Sequence, residues 1–181
     1  SAFIGELLNP NGSHGASSLF LKAFLQVIGI DEDYINCEAC SANILERVIG
    51  TVTETEGGRI DVIVEDGNHA VIIENKILSD INKVATDQNN STQLRRYYDY
   101  VQFLIKEETV NKEGEKEKGP DYGKTPHFFI LCPEYNQQTI EEEKDKKGNL
   151  LTPQMSDIYT QITYAKVYNF LKDRIFSFYN D

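Results

Sequence analysis

The sequence predicts an α/β domain whose mixed central sheet is built on a three-strand antiparallel meander flanked by helices. Three observations carry this. Two short pairs, Gly57-Gly58 and Gly67-Asn68, punctuate a stretch of strand-forming residues, which is the pattern of two tight hairpins. Apolar residues recur at helical spacing before and after that stretch. A short apolar run, HFFILC at 127–132, follows the second helical stretch and reads as a further buried strand.

Taken in order, residues 3–8 read as the end of a helix stopped by Asn9-Pro10. Asn11 to Gly15 form a turn, rich in residues that tolerate positive φ. A helix is expected over 17–28, with Leu19, Phe20, Ala23, Phe24, Val27 and Ile28 as its core stripe and Gly29 as its stop. Strands are expected over 45–55, 59–65 and 69–76. A polar loop follows, and Thr92 is placed to cap a helix running to about residue 108. Its apolar stripe is Leu94, Tyr97, Tyr98, Val101, Leu104 and Ile105. The last helix is expected over 164–178. The whole chain, 1–181, reads as one domain with charged loop insertions near 106–124 and 141–149.

Bulk properties exclude several classes. A hydrophobic share of 40% with 26% charged residues is ordinary for a globular protein and too apolar for a disordered one. No apolar run approaches the ~20 residues of a membrane helix. The opening residues lack a basic stretch and a cleavage site, so no signal peptide and a cytoplasmic location are expected. A net charge of −11 argues against a large phosphate-tracking surface, though not against a local basic cleft. Cys37, Cys40 and Cys132 are too few and too isolated for a disulfide framework or a zinc site.

The hairpins fix a register. A two-residue loop at Gly67-Asn68 sets Asp61 opposite Glu74, and one at Gly57-Gly58 sets Glu54 opposite Asp61. By the same rule Glu56, Arg59 and Lys76 align one step along. Asp61, Glu74 and Lys76 then share a face. Opposed carboxylates roughly 5 Å apart destabilise a sheet unless a cation neutralises them. Hard oxygen ligands suit Mg²⁺, with Mn²⁺ as a substitute. A lysine beside them can orient water or stabilise a transferring phosphoryl group. The competing interpretation is an ordinary solvated sheet face.

The segment Gly58-Arg-Ile-Asp61 … Ile73-Glu74-Asn-Lys76-Ile77 resembles the signature of the PD-(D/E)XK nucleases, with Ile60 where the motif has proline. Gln93-Leu-Arg-Arg-Tyr97, at the start of the following helix, resembles the Q-x-x-x-Y motif of RecB-type members. The opening LLNPNGSHG followed by a helix is similar to that of one bacterial PD-(D/E)XK family. The resemblance implies a restriction-endonuclease-like fold and a metal-dependent nuclease that hydrolyses phosphodiester bonds, with DNA ahead of RNA on family grounds. It implies Asp61, Glu74 and the main-chain carbonyl of Asn75 as metal ligands, Lys76 as the catalytic lysine, and Gln93 and Tyr97 as positioning groups. The side chain of Asn75 points to the opposite face and is given no role. Many relatives also place an acid on the first helix. Glu6 is the candidate, and Glu54 is the alternative. His14 is expected to cap its turn, and Arg95 to pair with Asp99. Two other readings stand beside this one: a catalytically silent nucleic-acid-binding or defence-complex module, and a phosphoesterase acting on small nucleotides. A homodimer is compatible with the sequence.

Overall fold

The runs Val71-Ile72-Ile73 and Phe128-Phe129-Ile130-Leu131 are apolar on both pleats, which is the signature of strands buried on both faces. They become two of the three interior strands of the sheet. The structure, a computed structural model, describes residues 1–31, 33, 35–38, 40–42, 47–48, 58–66, 69–81, 92–106, 108–110, 116–118 and 125–180. Helices α1 (Ala2–Leu8) and α2 (Leu19–Val27) come first. Strands β1 (Ser41–Ala42), β2 (Arg47–Val48), β3 (Arg59–Ile60), β4 (Val62–Glu65) and β5 (His69–Asn75) follow. Then come α3 (Gln93–Lys106), β6 (Glu108–Val110), β7 (Lys116–Lys118) and β8 (Thr125–Cys132). The chain closes with α4 (Met155–Ile158), β9 (Tyr159–Thr163) and α5 (Tyr164–Asn180).

Five strands form one mixed sheet in the order β1-β4-β5-β8-β9. The pairs β1–β4 and β4–β5 are antiparallel, while β5–β8 and β8–β9 are parallel. Alternation along the strands divides the core in two. Val62, Val64, Val71, Ile73, Phe129 and Leu131 pack against α1, α2 and α5. Ile63, Ile72, Phe128 and Ile130 pack against Leu94, Tyr97 and Val101 of α3. Helices therefore cover both faces, as the sequence predicts, and α3 lies on the second face.

The β4–β5 hairpin has the expected register. Val62 pairs with Ile73 and Glu65 with Ala70, which sets Asp61 and Glu74 at the next opposed positions. Upstream the expectation fails. Arg59 pairs with Val48, and Ile60 with Arg47. Arg59 thus has Val48 as its partner on β2, while Glu54, Glu56 and Gly57 lie outside the described residues. The strand beside β4 is β1, with Ser41 facing Glu65 and Ala42 facing Val64. The β1–β4 and β2–β3 registers differ by one residue, and Asp61 lies at that slip, in a bend between β3 and β4. Glycine and charge spacing alone could not reveal a register change inside the strand pair.

Three further differences are instructive. Leu21 and Leu25 of α2 are among the most deeply buried residues, yet the expected stripe omits them. A helix wedged between a sheet and other helices buries more than one stripe. The charged segment 106–124 contains a two-stranded ladder, with Glu108 facing Lys118 and Val110 facing Lys116. The strands β1 and β9 are short edge strands without the apolar run that marks β5 and β8. Among the described residues no helix is long and apolar enough to cross a membrane.

Candidate active site

Three elements deliver the motif residues to one place. Period-two alternation along β5 puts Ala70 and Ile72 on the α3 face, so Glu74 and the following Lys76 point the same way. On the neighbouring strand, Ile63 faces α3, and Asp61, in the bend before it, lies near enough to Glu74 and Tyr97 for its charge to act on both. Thr92 caps α3: its Oγ1 accepts the Arg95 N–H at 3.2 Å. That cap makes Gln93 the first residue of the helix, so Gln93 and Tyr97 stand one turn apart over the strand ends.

The side chains form a connected relay. Lys76 Nζ donates to Glu74 Oε1 and to Gln93 Oε1, each at 2.8 Å. Gln93 Nε2 donates to the Tyr97 hydroxyl at 2.6 Å. The Tyr97 hydroxyl in turn donates to the main-chain carbonyl of Arg59. Gly58, with φ of +123°, makes room for this, because a Cβ there would meet the Tyr97 ring at 3.2 Å. Asp61 is held from the other side, where its Oδ2 accepts the main-chain N–H of Asn75 at 2.7 Å. The Asn75 side chain turns to the opposite sheet face, as expected, and its Oδ1 accepts the hydroxyl of Tyr164 at the start of α5.

The expected opposition of Lys76 and Arg59 is not what organises the site. Arg59 is exposed and contributes its carbonyl, while the Lys76 ammonium is buried against Glu74.

Electrostatics mark Glu74 as the unusual group. It is 2% exposed. Burial, and then the nearby charge of Asp61, raise its pKa to about 7, against the pull of Lys76 and Gln93. Its Oε2 is buried and has no hydrogen-bond partner among the described residues. A carboxylate oxygen in that position costs free energy. A small hard cation beside Asp61 and Glu74 would remove the cost. The same burial, with the charges of Glu74 and Asp61, holds the Tyr97 phenol protonated far above neutrality, consistent with its role as a donor. Among the described residues no three His, Cys, Asp or Glu side chains gather as a metal cage. Asp61 and Glu74 offer hard carboxylate oxygens, a donor type that suits an ion that keeps several waters, as Mg²⁺ does. Zinc, with its preference for nitrogen and sulfur, fits poorly.

The remaining candidates fall elsewhere. Glu54 lies outside the described residues. Glu6 accepts the main-chain N–H of Ser13, and its pKa is lowered mainly by Ser13, so its carboxylate serves the turn after α1. His14 caps that turn as expected: its Nδ1 accepts from Ala16 N–H at 3.0 Å, and its Nε2 contacts the Asn9 carbonyl at 3.1 Å. The expected Arg95–Asp99 pairing is replaced by a closer one. Arg95 Nε and Nη2 lie 2.9 and 2.7 Å from Glu143 Oε2, and Asp99 feels Arg95 only as a more distant charge. Glu143 is the residue that sequence reasoning missed. Nothing in the run Glu141-Glu142-Glu143-Lys144 distinguishes it from its neighbours.

A mixed five-stranded sheet with helices on both faces, carrying opposed acids and a lysine beside α3, defines a restriction-endonuclease-like domain. A match to the PD-(D/E)XK nuclease superfamily runs over residues 1–175, and the chain belongs to that superfamily. No curated protein and no solved structure matches it. Nuclease chemistry on nucleic acid, with divalent metal, is what membership implies in general.

Proposed function

We propose that the protein is a Mg²⁺-dependent nuclease that hydrolyses phosphodiester bonds, with DNA as the first substrate to test. Residues 1–181 act as a single catalytic domain in this reading. The observation that carries it is the relay Glu74–Lys76–Gln93–Tyr97, closed next to Asp61, with one buried Glu74 oxygen left without a partner among the described residues. Such atoms are rare in a folded core, because each unsatisfied polar group destabilises the fold.

Asp61, Glu74 and the main-chain carbonyl of Asn75 would hold the ion. When bound, it supplies Lewis acidity and offsets charge on the transferring phosphoryl group. Hydrolysis forms a bond from a water oxygen to phosphorus and breaks the ester P–O bond, and the departing oxygen takes a proton. Lys76 is the residue beside this event. Its ammonium, fixed by Glu74 and Gln93, orients the water and stabilises the developing negative charge. Gln93 sets the lysine's position by accepting its hydrogen bond, and Tyr97 sets Gln93. The net charge of −11 favours a short contact near the scissile phosphate over an extended backbone-tracking groove.

The test is cleavage of labelled single-stranded DNA, duplex DNA and RNA by the wild type, in Mg²⁺, in Mn²⁺ and in EDTA. The reading expects metal-dependent cleavage of at least one substrate, absent in Lys76→Ala. Equal cleavage by wild type and Lys76→Ala contradicts it.

A further inference from the structure

The segment after β8 looks, by composition, like a solvated acidic turn, yet it contains one of the most buried carboxylates in the molecule. Glu143 is 2% exposed. Its Oε1 accepts the Thr92 hydroxyl at 2.7 Å, and the Thr92 main-chain N–H lies 3.4 Å away. Its Oε2 takes Arg95 Nε at 2.9 Å and Arg95 Nη2 at 2.7 Å. Thr92 and Arg95 are the cap and third residue of α3, so one carboxylate grips the helix's first turn on both sides of Gln93. Glu143 is itself anchored. Its N–H donates to Gln154 Oε1 at 2.9 Å, and its carbonyl accepts from Leu151 N–H at 2.9 Å and Gln154 Nε2 at 3.1 Å.

From this grip we infer that Glu143 is a positioning residue of the active site: it fixes the first turn of α3 so that the Gln93 amide meets Lys76. The inference rests on the nuclease reading for its catalytic consequence, but its geometric claim concerns Gln93 alone. A negative charge at a helix N-terminus is favourable anywhere. Here the charge also sets the angle at which Gln93 leaves the helix, and Gln93 holds Lys76 with its amide oxygen and Tyr97 with its amide nitrogen. The 141–149 segment is thus part of the support of the site, not a detachable insertion.

The test compares Glu143→Gln with Glu142→Gln, an exposed neighbour, in the full chain. The direct readout is the side-chain amide NMR signals of Gln93 in ¹⁵N-labelled protein without metal. They should move toward solvated values in Glu143→Gln and stay in place in Glu142→Gln. The second readout is cleavage, well below each variant's Tm. Glu143→Gln should lose about tenfold to a hundredfold in rate, the usual cost of disturbing a supporting partner. In a Gln93→Ala background the same change should cost almost nothing more, because both act through one group. A purely structural Glu143 lowers Tm but leaves the Gln93 signals unmoved and the two rate losses multiplicative, and that result overturns the inference. If Glu143→Gln does not fold, Thr92→Val removes the hydroxyl link and keeps the Arg95 pair. The Gln93 signals must shift there too, and unmoved signals overturn the inference. If the wild type cleaves nothing, the nuclease reading fails, while the Gln93 signals still decide this claim.

Discussion

The β4–β5 hairpin carries a buried acid at each end, and the two are used in opposite ways. At the turn, Asp66 accepts the His69 N–H at 2.6 Å, the Asn36 N–H at 2.8 Å and a contact with His69 Nδ1 at 3.3 Å. Both of its oxygens are occupied by groups of the fold. At the far end, Glu74 has one oxygen on Lys76 and the other without a partner among the described residues. Burial, and then the charge of Asp61 opposite, drive its pKa up. The two ends are about 16 Å apart at ~3.3 Å per residue. A carboxylate saturated by backbone donors ties a loop down. A carboxylate opposed by another and left short of donors is poised for a cation.

Breaking each end should cost stability, but breaking only one should cost cleavage. The largest effect is expected from Lys76→Ala, which should reduce cleavage by about a hundredfold to a thousandfold, as for loss of one preorganised charge-stabilising donor. It should also destabilise the fold, because it strands a buried carboxylate. That cost should be greatest above neutral pH, where Glu74 cannot take up a proton to compensate. Melting curves of both proteins at low and high pH check this.

Asp66→Ala should affect stability alone. It leaves the Asn36 and His69 N–H groups without their acceptor and should cost about 1–3 kcal/mol, read by denaturant unfolding. Cleavage per folded molecule should be unchanged. A large catalytic loss at full folding would break the comparison.

The pH dependence sharpens it. The folded-state pKa of Glu74, about 7, lies above its ordinary value of 4.5. The folded protein therefore binds more protons than the unfolded chain between those values. This contribution is fully present below the ordinary pKa and is lost as pH rises through about 7. Metal-free Tm should fall across that window, and Glu74→Gln should flatten the fall. An equally steep fall in the variant means the titrating group lies elsewhere.

The smallest effect is expected from Tyr164→Phe. Losing the hydroxyl on Asn75 should loosen the main chain beside Asp61 and raise the half-saturating Mn²⁺ concentration, with little change in rate at saturation. A rate loss at saturation with an unchanged Mn²⁺ requirement contradicts that placement.

The legibility of the molecule in its sequence follows the same division. The β4–β5 register was readable because a hairpin signal and period-two alternation both act over a few residues. The relay from Gln93 to Tyr97 was readable because helix spacing fixes which residues share a face, and Thr92 announced the helix by its capping chemistry. The partner of β4 was not readable. Its register depends on a one-residue slip near Asp61, and nothing local encodes it. Glu143 was hidden for another reason: its burial is set by Arg95 and Thr92, about fifty residues upstream, and a charge run carries no mark of which member turns inward. The Tyr164 contact to Asn75 crosses the sheet and spans 89 positions, beyond any periodicity.

The central claim is that Asp61 and Glu74 together bind a divalent ion, and metal-dependent melting tests it most directly. Wild type and Asp61→Asn are melted without metal and with millimolar Mn²⁺ at a pH above 7. Ion at a hundred times its dissociation constant stabilises the folded state by roughly 2.7 kcal/mol. The wild type should therefore rise clearly in Tm. Asp61→Asn should melt higher than the wild type without metal, because the repulsion with Glu74 is gone, and should gain nothing from Mn²⁺. Equal Mn²⁺ shifts in the two proteins, or no shift in the wild type, contradict the claim.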